Sequence, residues 1–226
     1  GATIEGVEIG AGAGPPARRP VADHVDEPLS ALDAGLRGQL RAELRPLLAD
    51  CDVPVLLVTH DRQDALALGD ALVVMSDGRI RQTGPLMDVF RQPVDTHVAE
   101  MVGFENRIPG QVWEIHNHMA TVQMGTQRIQ ATARPGGVRE VTVCFRGEDL
   151  RIQSPEEPPP AGHLPLVARV VAVHPGIPLV NIELDADVPL IALLPRSLLP
   201  AGALVPGRRV HVFVAPDSVH LVPGNS

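Results

Sequence analysis

Two adjacent carboxylates, Asp26 and Glu27, are the side chains whose types and spacing point most directly to chemistry. They follow residues 20–25, which are predicted to form a strand. At such a strand end the first carboxylate can hold Mg²⁺, directly or through water, and the second can orient or deprotonate a water that attacks a terminal phosphate. Pro28 ends the strand, and either Ser30 or Asp33 can cap the helix that follows.

His60 is the second candidate for a chemical role. It follows the apolar, β-branched run 55–58 and Thr59, and it precedes Asp61. The run predicts a buried parallel strand, and a histidine at its carboxyl end lies where α/β sheets bind ligands. A lone histidine there more often caps a strand or bonds to a neighbouring loop. The Asp26 motif upstream and the residues 62–65 downstream favour the functional position.

The remaining histidines and cysteines give weaker signals. His116 and His118 share one face of a strand, but no third metal ligand is indicated and the stretch reads as a solvated hairpin turn. Cys51 and Cys144 are too few for a disulfide framework, so they are interpreted as free buried thiols in a reducing cytoplasm.

Length and composition limit the number of domains, the kind of core and the classes of partner. The 226 residues suffice for one large domain or two small ones, and with 44% hydrophobic but only 2% aromatic residues the core is expected to be aliphatic. The net charge of −8 argues against a nucleic-acid partner. No apolar run approaches the ~18 residues that span a bilayer, and no secretory signal is visible.

The elements that would position Asp26 and His60 alternate between strands and helices. Leucines spaced three and four apart predict a helix over 34–50, with Pro46 kinking it near its end. Downstream, the pattern predicts a helix at 62–68, hairpin strands at 71–75 and 80–83 with Gly84 ending the second, and helices at 86–90 and 95–102.

From Gly103 onward the sequence consists of short strands and turns. The predicted strands form two sets, separated by a stiff acidic Pro-rich linker near 154–162: 111–115, 119–124, 127–132 and 138–145, then 166–173, 179–184, 189–193, 209–214 and 219–222. The two sets echo each other weakly. Many short strands with glycine turns predict a small closed barrel of OB type, because closure removes sheet edges.

These motifs together resemble the ATP-binding subunits of ABC importers. Residues 25–33 resemble the Walker B strand end and D-loop, His60 resembles the switch-loop histidine, and residues 103–226 resemble a TOBE domain in which Gly147 replaces the proline of an Arg-Pro-Glu-Asp motif. The resemblance implies an α/β remnant of an ABC ATPase domain over 20–102. An all-β OB-like (TOBE) barrel would follow. The lead over 1–19 is rich in Gly, Ala, Pro and Arg, which predicts that it is disordered or irregular, or a poorly packed strand.

The resemblance also implies roles and partners. Asp26 would hold Mg²⁺ through water, Glu27 would act as the general base, His60 would contact the terminal phosphate of ATP, and Ser30 to Asp33 would face a second ATPase subunit. The dimer would lie in the cytoplasm against integral-membrane permease subunits. Importers with such a domain take up molybdate, tungstate, sulfate, ferric iron, polyamines or sugars.

The sequence departs from the family pattern in its nucleotide half. All 19 basic residues are arginine, so the lysine with which a P-loop holds phosphates is missing. The Gly-rich stretch 10–14 is interpreted as flexible, and no Ser-Gly-Gly-Gln-like signature is present. Asp23 and His24 are polar within a strand expected to be apolar. The sequence therefore indicates the carboxyl part of such an ATPase, or a degenerate copy.

A second function class remains open, namely a non-enzymatic TOBE-type regulatory or oxyanion-binding protein with a vestigial ATPase remnant. Arg196, Ser197 and Ser218 are the candidate oxyanion donors. Glu105 and Asp217 count against such a site, because both add negative charge near it. Equilibrium dialysis against molybdate or tungstate distinguishes the two classes.

We expect the 226-residue chain to hydrolyse no ATP, because no ammonium group is present to hold the β- and γ-phosphates. Phosphate release from ATP and Mg²⁺ is the measurement. A rate that disappears in Glu27→Gln would contradict the expectation.

Overall fold

The computed structural model describes residues 33–50, 54–133, 138–158, 160, 164–199 and 204–224, together with the backbone of Val7–Glu8 and Asp23–Asp26. The chain divides into two units, Gly1–Val102 and Gly103–Ser226. None of the helices in these ranges has the length and apolar character needed to cross a membrane.

The first unit mixes strands and helices. Its elements in order are β1 (Val7–Glu8), β2 (Asp23–Asp26), α1 (Ala34–Ala49), β3 (Val55–Val58), α2 (Arg62–Leu68), β4 (Ala71–Ser76), β5 (Arg79–Pro85), α3 (Leu86–Arg91) and α4 (Thr96–Met101). Strands β2 and β3 pair in parallel, whereas β1, β4 and β5 form a three-stranded antiparallel sheet.

Helix α1 owes its position to its cap and its leucine face. The Asp33 carboxylate accepts a hydrogen bond from the Leu36 amide at 2.9 Å, which satisfies one of the free donors of the first turn. Its leucines at positions 40, 44 and 48 pack against Leu57 of β3 and Leu68 of α2. Because these leucines recur at a spacing of four, they form one apolar stripe that seats α1 on β3 and α2.

One sequence-based expectation needs correction. Strand β5 does not end before Gly84; it continues to Pro85, because Gly84 and Pro85 pair with Leu72 and Ala71 of β4 and extend the ladder. A proline is tolerated at this last position, where the ladder needs no donor. In the lead over 1–19, Val7–Glu8 pair with β4 as a short strand; the rest of 1–19 lies outside the described residues.

The described residues of the second unit contain ten strands. They are β6 (Asn106–His116), β7 (Met119–Met124), β8 (Gln127–Thr132), β9 (Glu140–Phe145), β10 (Arg151–Gln153), β11 (Leu166–His174), β12 (Leu179–Asp185), β13 (Pro189–Pro195), β14 (Arg209–Phe213) and β15 (His220–Pro223). They form two five-stranded antiparallel sheets, in the orders β15-β9-β6-β7-β8 and β10-β14-β11-β12-β13. The expected fold class, an α/β part followed by an all-β part, is confirmed.

The second unit is an internal repeat of two five-stranded halves, β6–β10 and β11–β15, which exchange their last strands. Strands β6 to β9 and β11 to β14 build the body of one sheet each, but β10 joins β14 and β15 joins β9. A short 3₁₀ turn precedes each exchanged strand, Gly147–Asp149 before β10 and Pro216–Ser218 before β15. Each half therefore completes the sheet of the other. The weak similarity between the two halves of the sequence did not predict this exchange.

One aliphatic cluster fills the space between the two sheets. It draws on both halves and contains Phe145 as an aromatic member, as expected from the low aromatic content. The exchanged strands and this shared cluster together indicate that the two halves unfold as one unit.

Asn106 ties the two sheets together at a buried position. Its amide donates to the Ile191 carbonyl oxygen at 2.8 Å and its side-chain oxygen accepts from the Ile191 amide at 2.8 Å, with only 2% of the residue exposed. Both backbone groups of Ile191 thus depend on one side chain from the other sheet.

We expect Asn106→Ala to lower the free energy of unfolding by about 2–4 kcal/mol, because it leaves a buried donor and a buried acceptor unsatisfied. Asn181→Ala is the matched control, since the buried side-chain oxygen of Asn181 has no hydrogen-bond partner within the described residues. Urea denaturation of both variants is the measurement. Equal losses for the two would contradict the account.

Candidate functional site

The parallel pairing of β2 and β3 places two candidate residues at the same edge of the first unit. Asp26, the last residue of β2, is in register with Val58, the last residue of β3. Adjacent strands lie about 4.8 Å apart, so Asp26 and the Thr59–His60 step leave neighbouring strands at their carboxyl ends. The Asp26 side chain and residues 27–32, which include Glu27 and Ser30, lie outside the described residues.

The loop that carries His60 is held on both sides of this residue. The Asp61 amide donates to the Thr59 hydroxyl at 3.0 Å, and the Asp61 carboxylate accepts from the Gln63 amide at 2.7 Å as the N-cap of α2. Thr59 is buried, whereas His60 is exposed. The backbone at His60 is therefore constrained while its ring remains accessible at the surface.

The space beneath the ring is small. His60, Phe90 and Leu72 line a cavity of about 20 Å³, which is room for one water at most. This cavity is therefore too small for a phosphate group.

Sequence reasoning missed a row of arginines beside this loop. Arg37, Arg41 and Arg45 recur every four residues, which puts them on one face of α1. Arg37 pairs with Asp61 at 3.5 Å, and Arg45 pairs with Asp70 at 2.8 Å and donates to the Leu68 carbonyl oxygen at 3.0 Å. The four-residue spacing was visible in the sequence, but it does not reveal which acids lie opposite.

Of the two possible helix caps, Asp33 caps α1. Asp33 is therefore already engaged at the start of α1, where its carboxylate also lies close to the positive end of the helix dipole. A contact with a second subunit through Ser30 to Asp33 stays a prediction.

The candidate oxyanion donors lie in two different turns. Arg196 and Ser197 lie in the 3₁₀ turn Arg196–Leu198 after β13, and Ser218 ends the turn Pro216–Ser218 before β15. The Ser218 side chain hydrogen-bonds to the Asp149 carboxyl group. A carboxyl group at this hydroxyl disfavours an anion there.

The pKa of the Asp149 carboxyl group is shifted upward. Burial raises the pKa of Asp149 above its usual value and the neighbouring Glu148 raises it further, whereas Arg146 and the Ser218 hydroxyl partly offset both effects. The ionised carboxylate is thus less favourable in the folded chain than in the unfolded one.

The Gly147 substitution in the Arg-Gly-Glu-Asp stretch has a local reason. The Gly147 amide donates to Glu105 Oε2 at 2.9 Å, a bond that proline cannot make. A Cβ at this position would lie 2.8 Å from Leu193 Cγ and 3.1 Å from the Ile191 carbonyl oxygen. Beside it, the Arg146 guanidinium lies 4.5 Å from the Phe104 ring centroid, in a cation–π contact.

No metal or reactive thiol emerges in the described part of the chain. No group of three or more His, Cys, Asp or Glu side chains there could hold a metal ion. Asn117 and His118 have positive φ in the turn between β6 and β7, as expected for a hairpin turn. Burial raises the pKa of the Cys144 thiol to about 12, which makes it inert; Cys51 lies outside the described residues.

The chain is 35% identical over 206 residues to the sulfate/thiosulfate import ATP-binding protein CysA 2 of Chromobacterium violaceum, covering 89% of this chain and 54% of that protein. It is 37% identical over 131 residues to the spermidine/putrescine import ATP-binding protein PotA of Ruegeria pomeroyi, covering 58% of this chain and 36% of that protein.

The predicted resemblance to importer ATP-binding subunits is confirmed. The chain spans about half the length, or less, of the curated relatives it matches. No family model matches the sequence. Among solved structures, the cytoplasmic molybdate-binding protein ModG with molybdate bound aligns at a TM-score of 0.46 and 15% identity, covering 53% of this chain and 96% of that one.

We expect Asp149→Asn to stabilise the protein more at pH 7 than at pH 3.5. A carboxyl group whose folded pKa is raised destabilises the fold once pH exceeds its unfolded value, and this penalty is absent when both states are protonated. Thermal unfolding of both proteins at the two pH values is the measurement. A gain that is equal at both pH values, or larger at pH 3.5, would contradict the assignment.

Proposed function

We propose that this chain is part of the ATP-binding subunit of an ABC importer, with Asp26, Glu27 and His60 at the γ-phosphate of ATP. The observation that supports this most is the register of β2 and β3, which brings the ends of both strands to one edge. Similarity to two importer ATP-binding proteins supports it independently.

Each residue has a role that its chemistry suits. Asp26 offers the hard carboxylate oxygen that Mg²⁺ prefers, and it would hold the ion through water. Glu27 would take the proton of the attacking water, and the exposed His60 ring would hydrogen-bond the γ-phosphate and that water. Mg²⁺, when bound, neutralises phosphate charge; the protein groups orient the water and hold the proton.

The proposal requires groups that these 226 residues do not contain. With no lysine in the sequence, the lysine that holds the phosphates must come from residues outside them, together with the signature that closes over the partner's nucleotide. Ser30 to Asp33 would then face that second subunit. ATP would lie between the two subunits at the inner face of the membrane, and hydrolysis would drive the integral-membrane permease subunits.

The two relatives are named for different solutes, polyamines and sulfate or thiosulfate. The alternative of an oxyanion-binding protein has no specific observation in its favour. The candidate oxyanion donor Ser218 is hydrogen-bonded to the Asp149 carboxyl group, which would repel an anion once ionised.

The test is ATP hydrolysis by the product of the complete gene. Glu27→Gln and His60→Ala are each expected to lower kcat by at least about 100-fold, as expected on loss of a general base or of a γ-phosphate contact. His97→Ala, an exposed histidine on α4, is the matched control and should retain the wild-type rate.

Two results would contradict the proposal. One is an active enzyme whose rate is unchanged by both substitutions. The other is a complete gene product that binds no ATP.

A further inference from the structure

The row of arginines on α1 follows α2 along its length. Arg37 contacts Asp61 at the beginning of α2, Arg41 contacts Asp64 within it, and Arg45 contacts Leu68 and Asp70 at its end. Helices α1 and α2 thus run side by side in the same sense, with ionic contacts at each turn. This arrangement connects the helix that begins at Asp33 with the loop that carries His60.

Arg41 is the most buried member of the row, and its guanidinium binds three acceptors. Its Nε donates to Asp64 Oδ1 at 2.5 Å, its Nη2 to Asp61 Oδ2 at 3.2 Å and its Nη1 to Gln63 Oε1 at 3.0 Å. The Arg41 and Asp64 side chains are 14% and 6% exposed. Such shielded, charge-assisted bonds hold geometry more firmly than surface ion pairs do.

Hydrogen bonds lead from Arg41 to both neighbours of His60. On one side, Arg41 binds Asp61 directly. On the other, the Asp64 carboxylate accepts from the buried Thr59 hydroxyl at 3.3 Å, and that hydroxyl accepts from the Asp61 amide at 3.0 Å. The residues before and after His60 therefore both depend on one guanidinium group from α1.

We infer that Arg41 is a positioning residue for His60. It holds the Thr59–Asp61 loop against α1 and so sets the place of the His60 ring relative to the start of α1. The planar guanidinium is suited to this task, because it binds three acceptors in fixed directions, which an ammonium group does not. The importance of Arg41 for ATP hydrolysis rests on the proposed role of His60 at the γ-phosphate. The effect of Arg41 on the position of the His60 ring does not depend on bound nucleotide.

The experiment compares Arg41→Gln with Arg45→Gln in the 226-residue chain. Arg45 lies on the same helix face, but its pair with Asp70 is 45% and 56% exposed and lies at the far end of α2. Two quantities are measured by NMR: the ring signals of His60, identified by their disappearance in His60→Gln, and hydrogen exchange of the Asp61 amide.

Arg41→Gln is expected to shift the His60 ring signals and to speed Asp61 exchange about tenfold, because it removes hydrogen bonds to charged groups that hold the loop. Arg45→Gln is expected to leave both quantities at their wild-type values. A purely structural role for the arginines would instead give two variants that differ only in overall stability.

Unchanged His60 signals in a folded Arg41→Gln protein would overturn the inference, as would an equal effect of Arg45→Gln. Should Arg41→Gln fail to fold, Asp61→Asn replaces it: the amide keeps an oxygen for the Gln63 amide but loses the charge that faces Arg41. The same shift is then expected, and its absence overturns the inference. Because no nucleotide is present, failure here is distinguishable from loss of ATP hydrolysis.

Discussion

The parallel pairing of β2 and β3 is the constraint on which the candidate site depends. Parallel strands end at the same edge, so the register of Asp26 with Val58 places the end of β2 beside the Thr59-His60 step that follows β3. Helix α1 connects the two strands, and its leucines seat it on β3 and α2. Arg37 and Arg41 of α1 form ion pairs with Asp61 and Asp64, which align α2 and the His60 loop with α1. Apolar packing and ion pairs therefore act on the same elements.

The second unit meets a different constraint, which is how two small sheets share one core. Exchange of β10 and β15 extends each sheet with a strand from the other half, and the aliphatic cluster between them belongs to both. Asn106 and the tight fit at Gly147 act at the same junction. Such mutual completion favours a stable module that is folded as a whole.

Periodicity and turn chemistry predicted most of the elements. The leucine spacing gave α1, the apolar run gave β3, and β7 and β8 have the bounds expected from their alternation. Contacts between distant residues were not predictable. The strand exchange pairs Arg151 with Phe213, and Arg41 meets Asp64 across 23 residues, and no local pattern encodes such partners. The prediction that Gly84 ends β5 was wrong, because the pairing with β4 continues through Gly84 to Pro85. The roles of Asp26, Glu27 and His60 rest on resemblance and remain predictions.

The most direct test of the central claim is paramagnetic broadening by a bound nucleotide. The complete gene product is loaded with a non-hydrolysable ATP analogue and Mn²⁺ in place of Mg²⁺, and the ring signals of its histidines are compared with those of a diamagnetic Mg²⁺ sample. We predict that the His60 signals broaden strongly while those of His97 on α4 are affected far less. Equal broadening of both, or none at His60, would contradict a nucleotide site at the shared edge of β2 and β3.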